Sequence, residues 1–210
     1  MNNKESRFYY IHDPMCSWCW AHQIEWSKLE LKLVDLLPVE YVLGGLAPDS
    51  DLPMPAEQRQ AIAGYWKKIN HLLGTEFNHQ FWSDNIPRRS TYPACRAVLA
   101  ASWQGAMKKM NFALQEAYYL RAMNPSDISI HLILAKELGL DVDKFAADLA
   151  SEQLQQTLMQ QLQFAHRLPI QGFPSMVLQH QGEMYAIALD YRDHRGALEQ
   201  VKQMLSEVNN

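Results

Sequence analysis

The amino-acid sequence predicts an α/β fold built in the order βαβ, a long helical block, then ββα, with the strands gathered into a mixed sheet. Three observations carry this. Aromatic and β-branched runs at residues 7–12 and 39–43 flank a helical segment; little β-alternation occurs from residue 56 to 168; and two short strand patterns return after Pro169. Residues 1–50 and 169–210 are thus expected to form one domain, into which residues 51–168 are inserted as a helical domain.

The first run, Arg-Phe-Tyr-Tyr-Ile-His over residues 7–12, stops at Asp13-Pro14 and reads as a buried strand closed by a turn. From Ser17 to Leu37 strand character is lost. Trp20, Ile24, Leu31 and Leu36 recur among polar residues until Pro38, the pattern of a helix. Val39 to Leu43 is the second strand, ended by Gly44-Gly45, and the crossover between the two strands is expected to be right-handed.

The turn-forming stretch from Pro48 to Pro55 marks the entry to the helical block. Helices are expected over 62–73, 93–103, 107–121, 128–138, 142–149 and 153–167, with Ser126 and Asp141 as N-caps of the fourth and fifth. Strands at 175–179 and 184–189 are joined through Gln181-Gly182, a pair suited to a hairpin turn. A final helix over 193–208 carries Ala197, Leu198, Val201 and Leu205 on one face.

With 210 residues, 48% apolar and 20% charged, the chain buries a sizeable core without metal or disulfide staples, which leaves its three cysteines available for chemistry. A net charge of −4, with basic residues in scattered pairs such as Lys67-Lys68 and Arg88-Arg89, argues against a nucleic-acid partner. The N-terminal residues do not read as a secretory signal. No apolar stretch approaches the length of a membrane span, so the expected setting is the cytosol, with no membrane partner.

Cys16-Ser17-Trp18-Cys19 follows the first strand at once and opens the helix. Two cysteines at that spacing can close a small disulfide ring. The helix start offers unpaired backbone N–H groups and the positive end of the macrodipole, which favour a thiolate at Cys16, while Cys19 is placed to resolve the mixed disulfide. Zinc is the competing chemistry, since His22 extends the spacing. A zinc site would want a second ligand pair, and Cys95 stands alone, so no metal is expected. Cys95 lies in a mostly apolar helix and reads as a buried thiol. His12 and His22 read as structural or solvated histidines near the pair. Trp18, between the cysteines, is the indole best placed to meet substrate.

The segment Asp13-Pro14-Met15-Cys16-Ser17-Trp18-Cys19-Trp20 resembles the active-site segment of the DsbA-like thioredoxin superfamily, in particular its FrnE-like branch. The resemblance covers nearly the whole chain and implies a thioredoxin-like fold with a helical insertion at the position derived above. It implies Cys16 and Cys19 as the redox pair, with Pro14, Ser17 and Trp18 in support. Gly172-Phe173-Pro174-Ser175 resembles the family's cis-proline loop, which implies a cis bond before Pro174 and a substrate-holding role for Phe173 and Pro174. Ser17-Trp18 departs from the Pro-His of the best-known periplasmic oxidant, so that protein's oxidising strength is not carried over.

The expected activity is thiol–disulfide exchange with peptide, protein or small-thiol substrates, without a bound cofactor and with glutathione as a candidate co-substrate. The rival is a glutathione-dependent isomerase or transferase, like the 2-hydroxychromene-2-carboxylate isomerases and kappa-class glutathione transferases, which share the architecture. Those enzymes generally carry serine where this chain has Cys16, and retention of both cysteines favours redox chemistry.

Overall fold

A computed structural model of the chain describes residues 6–206. They fall into two compact units. The first, residues 6–12, 18–44 and 161–206, contains β1 (Arg7–His12), α1 (Ser17–Leu33) apart from its first residue, β2 (Val39–Leu43), β3 (Ser175–His180), β4 (Glu183–Ile187) and α9 (Arg195–Ser206). The sheet order is β2-β1-β3-β4. β1 runs parallel to β2, with Phe8 opposite Val39, and antiparallel to β3, with Ile11 opposite Ser175; β3 and β4 form an antiparallel hairpin.

Cover on both faces explains why β1 is apolar from Phe8 to Ile11. Phe8 and Tyr10 join Met176, Leu178 and Ile187 on one face, against Trp26, Leu29 and Leu33 of α1 and Ala197, Leu198 and Val201 of α9. Tyr9 and Ile11 join Val42 and Val177 on the other, against Ala165 and Leu168. A strand covered on both faces reads as a continuous hydrophobic run. Tyr10 and Trp26 stack with ring centroids 3.8 Å apart, and the Trp26 indole N–H donates to the Tyr41 hydroxyl at 2.8 Å.

The apolar residues that mark α1 in the sequence are not those that bury it. Ile24, Leu31 and Leu36 are exposed, while Trp26, Leu29 and Leu33, at i, i+3 and i+7, face the sheet. The helix carries apolar residues on both sides, and the sheet selects one.

The second unit, residues 13–17 and 45–160, holds α2 (Ala56–Leu73), α3 (Phe81–Asp84), α4 (Tyr92–Ser102), α5 (Met107–Tyr119), α6 (Ile128–Glu137), α7 (Val142–Leu149) and the first part of α8 (Glu152–Arg167). Its core is aromatic. Trp66 is fully buried and meets Phe77, Phe81, Trp82, Tyr118 and Tyr119. α4 buries a run of small residues that includes Ala94, Ala97, Ala100 and Ala101. No helix among the described residues is long and apolar enough to cross a membrane.

Departures from the sequence reading have identifiable physical causes. Residues 13–17 and 45–50, expected with the strands, group with the helical unit, and α8 is divided before Gln161 because Ala165, in its last turns, and Leu168 pack on the sheet. α2 starts at Ala56 rather than 62: its first turn, after Pro55, is helix-forming but mostly exposed, so it shows no apolar period. The four-residue α3 is too short to show one. Asp141 caps α7 by accepting from the Lys144 amide at 2.9 Å. Ser126 is not a cap; its hydroxyl donates to the Ser90 carbonyl at 2.7 Å, and Asp127 precedes α6 with its carboxylate on Arg88. α9 begins at Arg195, and the expected helical residues 207 and 208 lie outside the described residues.

Candidate active site

The turn that carries Cys16 is built from its own sequence. The Cys16 N–H donates to the Asp13 carbonyl at 3.0 Å, closing a four-residue turn with Pro14 at its second position, where a fixed φ favours the bend. The Met15 N–H donates to Asp13 Oδ1 at 2.8 Å, the side-chain-to-backbone bond that aspartate offers two residues on. Ser17 then starts α1, so Cys16 immediately precedes the helix and Cys19 is its third residue. Both thiols are buried.

Asp13 is fully buried, and its carboxylate gathers donors from three segments of the second unit. Besides Met15, Oδ2 accepts from the Leu46 N–H at 2.8 Å, the Thr91 hydroxyl at 2.7 Å and the Cys95 thiol at 3.7 Å. Thr91 also receives the Ala47 N–H at 3.1 Å, and its own N–H donates to the Ala47 carbonyl at 3.0 Å. Desolvation raises the Asp13 carboxyl above the usual carboxylate range, against the pull of these hydrogen bonds. Burial first, and the Asp13 charge second, push the Cys95 thiol well up, so it stays a protonated donor. Cys95 is buried as its apolar helix implies, but its sulfur faces a carboxylate.

In the first unit, the Phe173–Pro174 bond is cis and leads directly into β3. Since Ser175 pairs with Ile11, Pro174 comes at the His12 end of β1, where that strand runs into the cysteine segment. The Gly44 N–H donates to the His12 carbonyl at 2.7 Å, and the Phe173 ring covers the Gly44 α-carbon. Trp18 is partly buried, its ring 5.1 Å from that of Tyr191.

The nearby histidines are packed. His12 stacks on Tyr10 and meets the Tyr41 ring edge-on. His22 lies 3.4 Å from the Tyr10 hydroxyl and edge-on to Tyr191, and desolvation lowers its pKa to about 4, so it is neutral near pH 7. Among the described residues, no group of three or more His, Cys, Asp or Glu is arranged to hold a metal ion.

The second unit also contains a cavity of about 690 Å³ whose lining includes Arg88, Arg96 and His131. Arg88 is paired with Asp127 and Arg96 with Asp49. Ser126, on the same wall, has its hydroxyl 4.0 Å from the Met15 sulfur. The sequence named Asp13 as a turn former but not as a hub, and Thr91 not at all.

Comparison with known proteins agrees with this architecture. A candidate protein disulfide isomerase from Nitrosomonas europaea superposes with a TM-score of 0.85 at 25% identity, covering 98% of this chain and 100% of that one. The cytosolic disulfide reductase DsbM from Pseudomonas aeruginosa, solved also with GSH, gives 0.74 at 23% identity over 95% of this chain and 98% of its own. In sequence, the ClpXP adapter protein SpxH of Bacillus subtilis is 24% identical over 186 residues, 86% of this chain; the chain spans 61% of that relative's length. The family model described as Thioredoxin matches residues 8–191, and the chain belongs to that family.

Proposed function

We propose that the chain is a thiol–disulfide oxidoreductase in which Cys16 attacks and Cys19 resolves, acting on peptide, protein or small-thiol disulfides. The observation that carries this reading is the position of the pair: Cys16 closes a turn after β1 and directly precedes α1, whose third residue is Cys19. Backbone N–H groups at a helix start favour the thiolate, the reactive form.

In the reducing direction the Cys16 thiolate attacks one sulfur of a substrate disulfide, whose S–S bond breaks and releases one thiolate. Cys19, as its thiolate, then attacks the Cys16 sulfur and releases the second, leaving a Cys16–Cys19 disulfide. Two glutathione molecules would restore the dithiol and leave as glutathione disulfide; run in reverse, the same steps oxidise a substrate dithiol. The Phe173-Pro174 loop would hold an extended substrate, with Trp18 against it. The setting in this reading is the cytosol, the compartment in the name of the similar DsbM.

The test is substitution of each cysteine. Cys19→Ser should accumulate mixed disulfides, Cys16→Ser should be inert, and Cys95→Ser should still exchange, each followed by mass spectrometry with oxidised glutathione. Retention of most exchange by Cys16→Ser would overturn the assignment. Isomerisation that needs glutathione and survives both active-site substitutions would favour the isomerase or transferase class. A second reading follows from the curated relative, which is named as an adapter: a chain that captures a protein partner without thiol exchange would keep that capture in the Cys16→Ser, Cys19→Ser double variant.

A further inference from the structure

We infer that Asp13 is the positioning residue of the exchange reaction: its buried carboxylate holds the turn that presents the Cys16 sulfur for attack. This rests on the oxidoreductase reading above and adds to it a residue three positions before the nucleophile.

A carboxylate offers about four lone-pair directions and no donor. Here both oxygens are engaged: Oδ1 accepts from the Met15 N–H, and Oδ2 accepts from the Leu46 N–H, the Thr91 hydroxyl and, at longer range, the Cys95 thiol. The first bond sets the Asp13–Cys16 turn from inside. The other three tie it to the loop after β2 and to the start of α4. An asparagine at this position could replace one oxygen only. Its amide would point two hydrogens at a donor, either the Met15 N–H or the Oδ2 cluster, and the turn or its anchor would be lost.

Asp13 is fully buried, so it touches no substrate and acts only through Cys16. The predicted signature is therefore a slower attack step with little change in substrate affinity. Displacing a reacting atom by about 1 Å costs on the order of a hundred-fold in rate, so a shifted turn is readable as a rate effect.

The experiment compares wild type, Asp13→Asn, Thr91→Val and Arg121→Gln, the last altering an exposed ion pair with Glu137 in the same unit. Rates of mixed-disulfide formation with oxidised glutathione are measured with each protein in the Cys19→Ser background, where the adduct persists, over a concentration series at constant pH. They are normalised to the folded fraction from circular dichroism and resolved into a maximal rate and a half-saturating concentration. Asp13→Asn should lower the maximal rate at least about ten-fold with the half-saturating concentration within about two-fold. Thr91→Val, which removes one donor and is the variant to rely on should Asp13→Asn fail to fold, should give a smaller drop of the same kind. Arg121→Gln should match wild type. Wild-type maximal rates per folded molecule in Asp13→Asn, or in Thr91→Val where Asp13→Asn does not fold, would overturn the inference, as would a loss confined to the half-saturating concentration. Exchange that persists in Cys16→Ser would instead overturn the oxidoreductase reading, so the two failures are distinguishable.

Discussion

A side chain at Gly44 would collide with Phe173: a Cβ at this position would overlap Cε1 and Cζ of the ring. Gly44 is the residue after β2, and Phe173 is in the loop that enters β3, so two segments distant in sequence meet at the end of the sheet that leads to the cysteine pair.

Gly44→Ala should therefore destabilise the protein by about 1–3 kcal/mol, the range for overpacking a tight contact, and should displace the Phe173 ring. Phe173→Ala removes the obstacle. In a double-mutant cycle by chemical denaturation, the cost of Gly44→Ala should largely vanish in the Phe173→Ala background. Equal costs in both backgrounds would mean that the ring is not what excludes a side chain.

Stability should fall as pH drops from about 6.5 towards 4. His22 in the first unit and His131 in the second both have pKa values lowered to about 4, in each case chiefly by desolvation. Above the unfolded value both states carry neutral rings and nothing is lost. Below it the unfolded chain takes up protons that the folded chain refuses, so unfolding gains up to about 3 kcal/mol per ring at pH 4. Asp13 works in the other direction: its raised carboxyl retains a proton that the unfolded chain has given up, so its contribution declines as pH rises. Denaturant melts at pH 7.5 and 4.5 for wild type and His131→Gln isolate one histidine. The variant should lose less stability on acidification, and an unchanged pH difference would refute the assignment.

Cys95 should resist modification in the folded protein. Its thiol is buried and held protonated beside Asp13, whereas alkylation needs an exposed thiolate. Labelling with iodoacetamide at neutral pH, followed by peptide mass spectrometry, should be on the order of a hundred-fold slower than in denaturant. Labelling of native protein at the denatured rate would contradict that environment.

Strands and long helices were legible because periodicity and punctuation are local properties. The runs at 7–12 and 39–43 became β1 and β2 with the same bounds, and Asp141 capped its helix as its position implied. The cysteine pair was legible because chain order alone sets it at a helix start. What escaped needed partners far along the chain. Thr91 reaches Asp13 across 78 positions, and the Ser126 hydroxyl turns to Ser90 because that carbonyl is there to receive it. The buried face of α1 was hidden for another reason: the helix carries apolar residues on two sides, and only the sheet distinguishes them.

The sheet order has a consequence for biosynthesis. β1 is an inner strand whose neighbours are β2, made soon after it, and β3, made only after residues 45–160 have emerged. During synthesis the β3-facing edge of β1 has no strand to pair with, while the helical unit already has its sequence in hand. Long-range pairing of this kind closes slowly. Ribosome-bound chains arrested at about residue 200, with residues 45–160 emerged and β3 still in the exit tunnel, should accordingly protect the helical segment from protease while leaving residues 7–12 cleavable, and release of the chain should protect both.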